Sequence, residues 1–182
     1  MSVKITNFAH GADADEEKKI SSGWSDVGLS ELGIQQAKEL RQRIENQIFD
    51  VVFCSDFKRA VDTAKIAFDG IAPIITDTRL RECNYGKLNG ALTSIVEPMC
   101  EEECIYNKFP EGESYEDVKA RVEDFLKFLK ENYDGKNVAI VAHKATQLAL
   151  DVLLKGKTCE QALTEDWRKT KSWQPGWEYK LE

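Results

Sequence analysis

The run Asn137-Val138-Ala139-Ile140-Val141-Ala142 constrains this chain more than any other stretch. Its apolar residues are unbroken rather than alternating, the pattern of a strand covered on both faces, and such strands belong to sheets with helices packed above and below. Val3-Lys4-Ile5-Thr6-Asn7-Phe8-Ala9 reads as a second strand. Val51-Val52-Phe53-Cys54, bounded by Ser55-Asp56, reads as a third, and Ile71 to Ile75 is a weaker fourth. Helical patterns fall between them. Ala37, Leu40 and Ile44 share a stripe after a Ser30 N-cap; Tyr115, Val118, Val122, Phe125 and Leu129 share another after Ser114, which pairs with Asp117 as a cap. Ala145 to Leu154 is apolar nearly all round, as a buried helix is. Trp177, Tyr179 and Leu181 alternate after the Pro175-Gly176 turn, the pattern of a late edge strand. Strand and helix alternate along the chain, so the expected fold is a three-layer α/β/α sandwich with a mostly parallel sheet and a C-terminal edge strand. Residues 1–182 read as a single domain with a short insertion near 90–109, where acidic residues replace any clean strand pattern.

Composition narrows the function classes. At 182 residues, 42% apolar and 31% charged, the chain is long enough to bury a sizeable core and is neither disordered nor fibrous. A net charge of −7 disfavours nucleic acid and anionic membranes, both of which require a basic face. An anionic substrate therefore needs a local basic pocket. Five cysteines without a CxxC pair, with Cys100 and Cys104 spaced as on one helical face, fit reduced thiols and a cytoplasmic location. No signal-peptide pattern opens the chain, and no apolar run approaches the roughly 20 residues of a membrane span.

The chain has only two histidines, and each follows directly on an apolar strand: His10 after Ile5 to Ala9, and His143 after Val138 to Ala142. Ligands of open α/β sheets bind beyond the carboxyl ends of the strands, where both imidazoles project if the two strands are parallel neighbours. A lone histidine at such a position is ordinarily a satisfied buried side chain; the pair shifts the balance toward a shared site. A neutral imidazole can attack phosphorus, given cations for the phosphoryl oxygens and an acid for the leaving oxygen. Arg59, just past a strand end at the start of a helix, is the best cation, with a solvated surface arginine as the alternative. Glu82, in the turn-rich Leu80-Arg81-Glu82-Cys83-Asn84-Tyr85-Gly86, is a candidate acid, although a glutamate alone is a weak signal.

Six elements then fall in register. They are His10-Gly11 after a first strand, Leu29 to Ala37 containing Ser30-Glu31-Leu32-Gly33, Ser55-Asp56-Phe57-Lys58-Arg59-Ala60 with Thr63-Ala64, Leu80-x-Glu82-x-x-x-Gly86, Pro110-Glu111-Gly112-Glu113-Ser114, and Val141-Ala142-His143. In this order they resemble the histidine phosphatase (phosphoglycerate-mutase-like) superfamily over roughly residues 3 to 155. The resemblance implies a phosphohistidine mechanism: His10 as nucleophile, Glu82 as proton donor and later base, and His143 in the catalytic set. It also implies that Arg59, Gly11 and His143 hold the phosphoryl group, with no cofactor and no metal. The implied partner is a small phosphorylated substrate; nothing in the chain encodes an oligomeric state.

The departures define the competing readings. Where the family shows Arg-His-Gly, this chain reads Ala9-His10-Gly11-Ala12-Asp13, so one pocket arginine is absent. Asp13, if it points inward, repels a phosphate; Lys144, after His143, is either a replacement charge or a solvated side chain. The favoured reading is a phosphatase for a small phosphorylated metabolite, its activity reduced by Ala9. The alternative is a catalytically silent binding protein on the same fold. A third reading, metal-dependent hydrolysis by both histidines with Asp13 or Glu82, fits the residue types but has no supporting spacing. The aromatics Trp167, Trp173, Trp177 and Tyr179 are expected to serve packing rather than a partner surface.

Overall fold

The apolar run at residues 137–142 is the middle strand of the main sheet. The computed structural model describes residues 2–172 and 174–182, and in it the elements run β1 (Val3–Ala9), β2 (Ile20–Ser21), α1 (Glu31–Arg43), β3 (Val51–Cys54), α2 (Lys58–Phe68), β4 (Ile74–Thr76) and β5 (Ala91–Leu92). They continue with α3 (Thr93–Glu102), α4 (Tyr115–Asn132), β6 (Asn137–Ala142), α5 (Lys144–Lys155), α6 (Cys159–Thr164), α7 (Trp167–Thr170) and β7 (Trp177–Leu181). The sheet order is β4-β3-β6-β1-β7. All neighbours are parallel except β7, which runs antiparallel to β1 along the edge.

The alternation of side chains along each strand explains the layers. Ile5, Phe53, Val138 and Ile140 face one cluster, closed by Val118, Val122 and Phe125 of α4 and by Leu150 of α5. Phe8, Val52, Cys54, Ala139 and Val141 face the other, closed by Ala64, Ala67 and Phe68 of α2 and by Ile44 at the end of α1. Because β6 feeds both clusters, it must be apolar at every position, and Val138 through Ala142 are each 0% exposed. The three-layer α/β/α arrangement with an antiparallel C-terminal edge strand follows.

Two details differ from the sequence reading. The fourth strand lies at Ile74–Thr76 rather than 71–75, because Gly70 at φ +76° closes a turn in which Ile71 donates to the Phe68 carbonyl. Within residues 90–109 a short strand forms where no strand pattern was legible: β5 pairs with β2 in a two-residue ribbon, α3 follows, and turns complete the stretch. Pairings this short carry no readable alternation. Trp177 and Tyr179 are buried, and Trp167 stacks on Trp177 at 5.6 Å, so these aromatics pack; Trp173 lies outside the described residues. The cysteines are free, with only Cys159 partly exposed. No helix among the described residues is long and apolar enough to cross a membrane.

Helix α4 starts as its sequence indicates. The Ser114 hydroxyl accepts from the Asp117 N–H at 3.2 Å while the Asp117 carboxylate accepts from the Ser114 N–H at 2.9 Å, a reciprocal cap. Ser114→Ala is expected to lower the free energy of unfolding by about 1 kcal/mol, read as a shift in the urea midpoint by circular dichroism. An unchanged midpoint would show that the cap contributes nothing.

Candidate active site

The register of β1 on β6 pairs Ala9 with Ala142, so the residues that follow, His10 and His143, emerge side by side. The His10 N–H donates to the Ala142 carbonyl at 3.2 Å, and the ring centroids lie 4.8 Å apart. The expected convergence of the two imidazoles is present. Beyond His10 the chain turns tightly against the start of α1: a Cβ on Gly11 would overlap the Gly33 carbonyl oxygen, and one on Gly33 would overlap the Ala12 carbonyl oxygen. The Gly11 N–H donates to the Thr63 hydroxyl at 3.0 Å, tying this loop to α2.

Hydrogen bonding fixes the state of the His10 ring. Its Nδ1 lies 2.7 Å from the Gly11 carbonyl oxygen, which can only accept, so Nδ1 carries the proton and the neutral ring leaves Nε2 with a lone pair. Burial, followed by the Arg59 charge, lowers the His10 pKa to about 3, against a smaller opposing pull from the Gly11 carbonyl. His143 is 1% exposed, and neither ring nitrogen has a hydrogen-bond partner among the described residues. Burial first, and then the Arg59 charge, hold its pKa well below the usual value.

Glu82 reaches the same place from the segment after β4. Its Oε1 accepts from the Cys83 N–H at 2.7 Å and from the Ala145 N–H at 3.1 Å, so the carboxylate caps α5 immediately beyond His143. No described residue bonds its Oε2. The Glu82 carbonyl accepts from the Trp24 indole at 2.8 Å and from Arg121 at 2.9 Å, which fixes the backbone that presents the carboxyl group.

Arg59 is buried, not solvated, at 2% exposure. It donates to the carbonyls of Gly23 at 2.8 Å and Ser25 at 3.0 Å, and its Nε lies 3.5 Å from Asp13. A guanidinium carries five N–H donors, so two remain uncommitted. Asp13 points inward, and its charge faces Arg59. One carboxylate oxygen accepts from the Asp15 and Glu16 N–H groups, and the other from the Ser22 hydroxyl at 3.3 Å. Lys144 is not solvated either: its ammonium meets Glu97 at 2.7 Å and Asp166 at 3.7 Å, so it adds little net positive charge.

His10, Glu82, Arg59, Asp13 and Lys144 line one cavity of about 570 Å³, with Leu92 of the ribbon and Thr93 at the start of α3 also lining it. A second hollow of about 390 Å³ opens on the other side of His10, beside Ala9 and Gly11. Arg168 lines both, and sequence reasoning missed it. Its only signal was a basic residue inside the aromatic C-terminal segment, which reads as packing. For a metal, His10, Asp13 and Glu16 bring ligand atoms within 4.8 Å of one another. The set fits poorly, because Asp13 is already satisfied and a dication bound to it would face the Arg59 guanidinium.

Residues 9–172 match the family described as the histidine phosphatase superfamily (branch 1). A 2,3-bisphosphoglycerate-dependent phosphoglycerate mutase of Cytophaga hutchinsonii is 35% identical over 153 residues, covering 78% of this chain and 72% of the mutase. Fructose-2,6-bisphosphatase TIGAR of Xenopus tropicalis is 35% identical over 136 residues, 69% of this chain; that match spans about half of the relative, 49% of its length. Among solved structures, a mycobacterial glucosyl-3-phosphoglycerate phosphatase complexed with VO3 superposes with a TM-score of 0.77 at 25% identity, covering 88% of this chain and 86% of that one.

The depressed histidine pKa values carry a sign. Below the ordinary value of about 6.5 the unfolded chain takes up protons on residues 10 and 143 while the folded chain does not, so stability falls as pH falls, down toward the folded pKa values. Unfolding free energies at pH 7 and pH 5 are expected to differ by up to about 2 kcal/mol for each histidine, and His143→Gln is expected to flatten the difference. An equal slope in the wild type and the variant would show that His143 titrates normally.

Proposed function

The chain belongs to the histidine phosphatase superfamily, and from that membership we propose that it hydrolyses a small phosphorylated metabolite through a phosphohistidine at position 10. The observation that carries this reading is the His10 ring itself: neutral, with Nδ1 bonded to the Gly11 carbonyl and Nε2 free beside His143.

In the first step the Nε2 lone pair forms a bond to phosphorus as the bond from phosphorus to the substrate oxygen breaks. Glu82 protonates the departing oxygen from Oε2, the oxygen left free while Oε1 caps α5. In the second step Glu82 takes a proton from water, the water oxygen bonds to phosphorus, and the bond between phosphorus and Nε2 breaks, releasing inorganic phosphate and the original ring. Arg59 supplies positive charge to the non-bridging oxygens through its uncommitted N–H groups, the Gly11 loop shapes the floor, and His143 packs against the nucleophile. The relatives include a mutase and two phosphatases. Hydrolysis is favoured here because only one 3-10 turn, the two-residue β5 and α3 lie between Glu82 and Pro110, little cover for an intermediate that must rebind before water enters.

One observation favours the silent-binder alternative: Asp13 sits 3.5 Å from Arg59 and offsets its charge. A panel of phosphomonoesters decides between the two. The phosphatase reading expects turnover that His10→Ala removes at least a thousandfold, that vanadate inhibits, and that a chelator leaves unchanged, with a phosphorylated histidine trapped on rapid quench. No turnover above the His10→Ala control would leave the silent binder standing.

A further inference from the structure

Ala9 ends β1 with a methyl group where a charged side chain would flank the nucleophile, and the hollow beside it is open. Two arginines line that hollow, Arg43 at the end of α1 and Arg168 from the other end of the chain, and of the two Arg168 alone also lines the cavity at Glu82 among the described residues. Among the described residues only His10, Glu16 and Arg168 line both the cavity at Glu82 and the hollow at Ala9, so Arg168 stands at the junction beside His10. We propose that Arg168 is a phosphate ligand of this site and supplies, from α7, the positive charge that Ala9 cannot. The inference rests on the phosphatase reading above and deepens it.

Three contacts make Arg168 a positioned group rather than a loose surface charge. Its Nη1 donates to Asp166 at 3.0 Å, and Asp166 is 5% exposed. Its guanidinium lies over the Trp167 ring, 4.4 Å from the centroid. Trp167 is itself fixed, stacked on Trp177 of β7 and donating its indole N–H to Gln147 at 3.1 Å. Stacking restricts the guanidinium to one plane and leaves its edge free to donate, which suits fork-like recognition of phosphate. Nε and Nη2 of Arg168 have no hydrogen-bond partner among the described residues. Lys144, the buried lysine of the cavity, is held by Glu97 and Asp166 and cannot turn toward a ligand without leaving both. The field agrees with the geometry: the charge of Arg168 adds to that of Arg59 in holding both imidazoles neutral.

The test uses the full chain, with inorganic phosphate and vanadate as binding probes and p-nitrophenyl phosphate as substrate. Arg168→Met is expected to weaken phosphate and vanadate binding at least tenfold and to lower kcat/KM about a hundredfold or more, in the range for removing one preorganised donor. Its melting temperature is expected to stay near that of the wild type. Ala9→Arg added to Arg168→Met is expected to regain at least tenfold, which a merely structural role for Arg168 does not predict. Should Arg168→Met fail to fold, Arg168→Gln, which keeps length and an N–H donor but removes the charge, carries the same expectation. Binding and turnover within threefold of wild type, or a loss that Ala9→Arg leaves uncorrected, overturns the assignment. A wild type that binds phosphate without turning over any phosphomonoester defeats the phosphatase reading and leaves Arg168 to be judged by the binding constants; one that binds neither probe overturns both.

Discussion

The parallel pairing of β1 with β6 is the constraint on which the site depends. Side chains alternate along a strand, so a slip of one residue would turn Ile5 and Phe8 to the wrong layers and move His10 away from His143. The two clusters on either face of the sheet make such a slip costly: Phe8 packs edge-on against Phe49 and Phe68 on one side, while Ile5 fills the other. Register is thus set by the core, and the 4.8 Å separation of the imidazoles is a by-product of packing several residues away.

Placing two imidazoles together beside a buried guanidinium has one chemical outcome: both stay neutral. For His143 the cause is burial. For His10 burial dominates too, and the Gly11 carbonyl selects the tautomer whose free nitrogen faces the cavity. Asp13 balances the charge of Arg59. Asp13 faces Nε, and the two remaining guanidinium protons are left for an arriving phosphate, so Asp13 tempers affinity through its charge without removing the donors. Glu82 does two things at once, closing the N-terminus of α5 with one oxygen and presenting the other to the cavity, which couples the start of that helix to the proposed acid.

Most of this was legible in the residues. The layers followed from unbroken apolar runs and helical stripes, and the Ser114 cap and the edge strand at residues 177–181 from local chemistry. The pairing of the two histidines followed from their positions at strand ends. The β2–β5 ribbon was not legible, because two-residue pairings leave no period and are held by contacts distant in sequence, such as the Gly90 N–H to the Ser21 carbonyl. Burial of Lys144 and Arg59 was not legible either: a charged side chain reads as solvated until its partners, Glu97 and Asp13, are brought to it by the fold. Arg168 escaped for the same reason, since nothing local in Asp166-Trp167-Arg168 says that the following strand will carry it back to the first.

The central claim is that His10, backed by His143, shares with Glu82 and the buried guanidinium one place for a tetrahedral anion. A crystal structure of the vanadate-soaked protein tests it directly. The account requires vanadium bonded to Nε2 of His10, with Arg59 at its oxygens, His143 packed beside the His10 ring and Glu82 opposite the ring. Vanadate bound elsewhere on the protein, with the His10 ring untouched, would contradict it.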